Sequence, residues 1–282
     1  MAYSTLISAS ELNAHLNDNK WVIFDCRFSL ANTELGASAY RQGHLPQARY
    51  AHLDKDLSSA ITSFTGRHPL PDFAQLAKKL GDWGVGNNTQ VVIYDDAGGA
   101  FAGRMWWLLR CLGHEKVAVL NGGLPHWLKQ GYAVTTVLPS VKPTVFRAYL
   151  NDSLWLSARE VEDGLARRKI TVLDARTPER YRGEQEPIDP VAGHIPYALN
   201  RPLQLNLDKS GLFLSAGVLR QQFKPLLAHR AATDIVHYCG SGVTACHNLL
   251  AMEVAGLTGS RLYAGSWSEW IRDKNRRVVS GA

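Results

Sequence analysis

The sequence predicts an α/β fold in two tandem copies, each a parallel sheet flanked by helices. Three observations carry this. The chain has 282 residues, enough for two domains of ordinary size. Five segments of its first half recur in the same order in its second half. Within each half, short β-branched runs alternate with helical stretches, the pattern of parallel strands joined by crossover helices. The N-terminal copy is expected over residues 1–137, a linker over 138–151 and the C-terminal copy over 152–282.

The elements follow in order. "LISASELNAHL" at 6–16 is matched by "WLSAREVEDGL" at 155–165. Each carries Ser-x-x-Glu, at Ser8/Glu11 and Ser157/Glu160, the capping box that starts a helix. Next come "VIFDCR" (Val22–Arg27) and "TVLDAR" (Thr171–Arg176), apolar strands ending in Asp25 and Asp174. The recurrence of those aspartates, each two residues before an arginine, predicts a structural tie common to both copies. "GHLPQA" at 43–48 is paired with "GHIPYA" at 193–198, and "VVIYDDAGGA" at 91–100 with "IVHYCGSGVTA" at 235–245. Helices are expected in "FAGRMWWLLRCLG" and in "ACHNLLAMEVAG", the latter closing on Gly256. "NGGLPHWL" and "AGSWSEWI" complete the repeat, and "VLPSVKPTVFRAYLN", with two prolines and little periodicity, reads as the linker.

Composition bounds the function. With 45% hydrophobic and 20% charged residues and no apolar run long enough for a bilayer, the chain reads as a soluble globular protein. Its first residues lack a basic start and a continuous apolar stretch, so a secretory signal is not apparent and the cytoplasm is the expected compartment. The net charge of +6 is mild, and its densest basic run, "RDKNRR" at 272–277, is not interleaved with aromatics. Neither a nucleic-acid nor a membrane partner is expected; a positive field does draw in small anions. Cys26, Cys111, Cys239 and Cys246 form no CxxC pair, which excludes the usual zinc and dithiol motifs. Neither a metal nor a cofactor is expected. Cys26, Cys111 and Cys246 lie in apolar settings and read as buried thiols.

Cys239 differs, because the two copies differ there. At the end of the same strand the first copy has Tyr94-Asp95 and the second Tyr238-Cys239. In α/β sheets the carboxyl ends of strands are where ligands bind. The turn Gly240-Ser241-Gly242-Val243-Thr244-Ala245 precedes a helix. Its glycines let successive amides face one point, and the helix start adds its own free N–H groups. A negative charge on sulfur is favoured there, which makes Cys239 a candidate nucleophile, with the Asp95 copy catalytically silent. A structural cysteine in a glycine turn is the bland alternative. Phosphatase chemistry is disfavoured, since a C-x5-R motif needs an arginine where this chain has Ala245.

Over nearly its whole length the sequence resembles the tandem-domain rhodanese-type sulfurtransferases. The resemblance rests on "CGSGVTA", which is similar to the loop of the 3-mercaptopyruvate group rather than the basic C-R-K-G-V-T loop of the thiosulfate group, and on the paired "GH[LI]PxA" and "DxR" segments. It implies a double displacement: a small anionic donor, 3-mercaptopyruvate or thiosulfate, leaves a persulfide on Cys239. A thiol, cyanide or protein acceptor then removes the sulfur. It implies donor binding by Arg180, which Pro178 places in the first turn of a helix, and a donor- or proton-relay contact for Ser241. For His44 it implies a place at an interdomain cleft; the twin His194 argues instead for a structural role in both copies. "GEQEPIDPVAG" at 183–193 holds no arginine where the mercaptopyruvate group usually has a second one. That departure motivates the alternative of a persulfide relay module loaded by a partner desulfurase.

Overall fold

The computed structural model describes residues 2–281. The chain divides into two compact units. The first comprises residues 1–59, 70–151 and 209–213, the second 60–69, 152–208 and 214–282. Two departures from a serial division follow. Residues 60–69 belong to the second unit and 209–213 to the first. The stretch expected as a linker packs on the first unit: Phe146 is buried, and the amides of Thr144, Tyr149 and Asn151 donate to the carbonyls of Gly81, Leu112 and Cys111 at 2.9, 3.0 and 2.8 Å.

In the first unit, β1 (Leu6–Ile7), β2 (Trp21–Asp25), β3 (Ala48–Tyr50), β4 (Gln90–Tyr94) and β5 (Val117–Leu120) form one sheet in the order β1-β5-β4-β2-β3. In the second, β6 (Trp155–Leu156), β7 (Thr171–Asp174), β8 (Leu199–Asn200), β9 (Ile235–Tyr238) and β10 (Arg261–Tyr263) repeat it as β6-β10-β9-β7-β8. The pairings among these ten strands are all parallel. The central strands β4 and β9 are buried along their whole length, as strands covered by helices on both faces must be. Both capping boxes form: Ser8 and Ser157 accept from the amides of Glu11 and Glu160, whose carboxylates reach back to the serine amides. Each core holds one fully buried indole, Trp127 and Trp267. Removing roughly 200 Å² from water, each contributes up to about 5 kcal/mol of hydrophobic stabilisation.

The repeated motifs lock onto one another. The Arg27 and Arg176 guanidinium groups each grip the aspartate two residues back, Asp25 and Asp174, and also donate to the carbonyls of Gly43 and Gly193 at 2.7 and 2.6 Å. From the neighbouring strand, the phenol oxygens of Tyr94 and Tyr238 accept from the amides of Leu45 and Ile195 at 3.1 and 3.2 Å. The aspartates tie the start of each Gly-His-x-Pro segment to the sheet, the role expected of them. No helix among the described residues is long and apolar enough to cross a membrane.

Candidate active site

Cys239 stands at the carboxyl end of β9, 1% exposed. Its amide donates to Ser266 Oγ at 3.1 Å, and its carbonyl accepts from Trp267 at 3.0 Å. The Ser268 amide donates to the Gly240 carbonyl at 2.9 Å. The turn is thus held from one side by the short helix Ser266–Trp270, and the helix Ala245–Val254 follows directly. Gly240, Ser241, Gly242, Val243 and Ala245 are buried and Thr244 half-buried. Gly242 has φ +76 and lies against the Ala264 carbonyl, so both its conformation and its lack of a Cβ are required.

The first unit displays what this backbone turn does with a charge. Asp95, at the position of Cys239, is fully buried, and its carboxylate accepts from the amides of Ala97, Gly99, Phe101 and Ala102 at 2.8–2.9 Å. Four N–H groups converge on the side chain at the strand end. In the second unit, no described residue accepts a hydrogen bond from the amides of Ser241, Val243 or Ala245.

Arg180 lies in the helix Pro178–Arg182, whose first residue is the expected proline. Its Nε and Nη2 bind Glu186 at 3.1 and 2.7 Å, and Nη2 also reaches Asp189 at 3.2 Å. Glu186 in turn accepts from Arg176 at 3.2 Å and from the amides of Ile188 and Asp189. Burial alone would raise the Glu186 pKa, but Arg180 and those amides outweigh it and hold the carboxyl below its ordinary range. Asp189 shifts the other way: burial raises its pKa, despite attraction from Arg67 and Arg180. The segment carrying both acids is anchored where Trp267 Nε1 donates to the Val191 carbonyl at 2.8 Å.

Two residues that sequence reasoning missed stand here as well. The 60–69 segment brings His68, whose Nδ1 lies 2.7 Å from Ser241 Oγ, and Arg67, whose Nη1 pairs with Asp189 Oδ1. The local cue was slight, an Arg-His pair between glycine and proline in a loop, and loops are where function concentrates.

His44 is corrected. It is fully buried in the first unit, stacked on Tyr40, with Nδ1 2.7 Å from the Tyr40 carbonyl and Nε2 3.2 Å from that of Val137. Its twin His194 stacks on Tyr181 and bonds the Tyr181 carbonyl in the same way. The remaining cysteines are buried thiols: Cys26 contacts Met105 Sδ, and Cys246 the Gly242 carbonyl. Among the described residues, no cluster of three His, Cys, Asp or Glu side chains could hold a metal ion.

The Rhodanese-like domain family matches residues 8–130 and again 157–273. A probable 3-mercaptopyruvate sulfurtransferase of Pseudomonas aeruginosa is 47% identical over the full length of both chains. A putative thiosulfate sulfurtransferase, SseB, of Mycobacterium tuberculosis is 39% identical, covering 98% of this chain and 97% of its own. Among solved structures, SseA of Escherichia coli, a 3-mercaptopyruvate sulfotransferase, superposes with a TM-score of 0.81 at 28% identity, covering 95% of this chain and all of its own.

Proposed function

The chain belongs to the rhodanese-like family and is a sulfurtransferase, and from that premise we propose that the sulfur it moves is carried on Cys239 as a persulfide. The observation that carries this reading is the pair of twin turns: the first gathers four amides onto the Asp95 carboxylate, the second presents a thiol at the same place.

In the loading step, the Cys239 thiolate attacks the outer sulfur of the donor. A bond forms between the two sulfur atoms and the donor's bond to that sulfur breaks, its electron pair leaving with the departing group. From thiosulfate that group is sulfite. From 3-mercaptopyruvate it is the enolate of pyruvate, which takes up the proton released by the donor's sulfhydryl. Ser241 Oγ, held 2.7 Å from His68 Nδ1, is placed to pass that proton. In the unloading step, a thiol, cyanide or protein acceptor attacks the terminal sulfur and the Cys239 thiolate departs. The amides of the turn balance the charge on sulfur in both halves of the cycle. A metal or organic cofactor has no part in this scheme.

The test is mass spectrometry of the chain incubated with 3-mercaptopyruvate or thiosulfate. One sulfur, a gain of about 32 Da, is expected on the activated thiol, localised to Cys239, removed by cyanide and absent in Cys239→Ser. No gain with either donor would refute the persulfide. The relay reading rested on the want of a second cation near Arg180, and Arg67, paired with the same Asp189, weakens that motive.

A further inference from the structure

Arg67 is fixed before any donor arrives. Its amide donates to Ser268 Oγ at 3.1 Å. The preceding Gly66 sits so close to the Gly265 carbonyl that a Cβ there would lie 2.5 Å from the oxygen. The backbone of the 60–69 segment is therefore seated on the same short helix that holds the Cys239 turn.

Its guanidinium points at that turn. A Cβ built on Gly240, the residue next to the sulfur carrier, would stand 2.8 Å from Arg67 Nη2, 3.6 Å from Arg180 Nη2 and 3.7 Å from Arg180 Nη1. Two guanidinium groups converge over one residue, where like charges repel unless something holds them. Asp189 does so: one carboxylate oxygen takes Arg67 Nη1 and the other takes Arg180 Nη2, and the side chain is 2% exposed. Binding through Nη1 leaves the Nη2 edge of Arg67 over Gly240, and Arg67 Nε is buried without a hydrogen-bond partner among the described residues. Arg180 spends Nε and Nη2 on Glu186 and Asp189, which leaves Nη1. Arg67 Nη2 and Arg180 Nη1 thus both face Gly240, the residue that follows Cys239.

Resting on the Cys239 persulfide reading, we propose that Arg67 is the second cation of the donor clamp and Asp189 the positioning residue that sets its spacing from Arg180. The clamp takes the oxyanion head of a sulfane-sulfur donor, a carboxylate or a sulfonate. Two arginines can share such a head through separate oxygens. The second arginine absent from residues 183–193 is supplied instead from residue 67, and an aspartate in 183–193 holds it.

The experiment is a comparison of Arg67→Ala, Arg67→Gln, Arg67→Lys and Asp189→Asn with the unaltered enzyme. Persulfide loading is measured against 3-mercaptopyruvate and thiosulfate separately. Unloading is measured from pre-loaded enzyme with the neutral thiol dithiothreitol. Loss of a charge-assisted hydrogen bond predicts a rise in donor KM of about 10- to 100-fold for Arg67→Ala and Arg67→Gln. Unloading is expected to stay within about twofold, because a neutral thiol makes no use of the clamp. Arg67→Lys recovers part of the loss, since one ammonium cannot serve Asp189 and the donor as a fork does. Asp189→Asn raises donor KM with little change in kcat, whereas general disruption of the site would lower kcat and slow unloading too. A rise with one donor alone assigns the clamp to that donor's head group. If the unaltered enzyme loads sulfur and both Arg67→Ala and Arg67→Gln keep its KM for both donors, the Arg67 assignment is overturned. If the unaltered enzyme loads sulfur from neither donor, the persulfide reading fails first.

Discussion

At Asp95, a carboxylate out of reach of solvent accepts four amide bonds, and cutting the side chain back leaves all four donors buried without it. A single unsatisfied buried donor costs about 1–3 kcal/mol, partly recovered where water enters. Asp95→Ala should therefore destabilise the chain by about 3 kcal/mol or more, read from chemical unfolding. Loading of sulfur on Cys239 in the protein that remains folded should be unchanged. A neutral outcome would mean that the turn holds itself without a charge. Asp95 and Cys239 were legible as a contrasting pair because the repeat aligns them. The environment of Arg180 was not: its partners Glu186 and Asp189 sit in a stretch that read as lacking a feature rather than supplying one.

Among the elements, β9, the strand that leads into Cys239, carries an acid sensitivity. His237 lies within it, fully buried, with Nε2 3.1 Å from Met252 Sδ. Burial and, secondarily, the charge of Arg201 push its pKa down to about 3. In the unfolded chain a histidine titrates near 6.5, so between those values the unfolded state binds the extra proton. The stability His237 permits is complete above pH 6.5 and is lost as pH falls towards 3, at about 1.4 kcal/mol per unit. Unfolding in urea at pH 7 and pH 5 checks this: His237→Gln should remove about 2 kcal/mol of the stability difference between them. An unchanged difference would place the acid sensitivity elsewhere. The elements were the most readable level of the molecule. Ser8 and Ser157 cap where the Ser-x-x-Glu pattern placed helix starts, and the β-branched runs ending in Asp25 and Asp174 are β2 and β7. Such features depend on neighbours a few residues apart.

For the whole molecule the limit of reading lies in chain distance. Arg67 is 122 positions from Asp189 and His68 is 173 from Ser241, and no periodicity or spacing links residues so separated. Only the folded chain shows that 60–69 belongs with the second unit. The repeat even obscured it, because a serial division assigns every residue before the linker to the first copy. His44 illustrates the pull of a motif. A histidine inside a recognisable motif drew attention, whereas the one beside Ser241 came from a stretch with no pattern. The buried charge of Asp95 also bears on the energetics of turnover. In the first unit the acceptor for the turn's amides is a side chain that never leaves. In the second, under the proposed cycle, the terminal sulfur extends one bond beyond Sγ, arriving with each donor and leaving with each acceptor. That sulfur stays bonded to Cys239 in the unfolded chain as well, so it stabilises the native state only through the hydrogen bonds the turn's amides make to it there. A gain of about 1 kcal/mol would raise the melting temperature by roughly 2–4 °C in a unit of this size. Calorimetry before and after discharge with cyanide would register it, and identical melting curves would exclude it. Each catalytic turnover would carry the second unit through one round of stiffening and release.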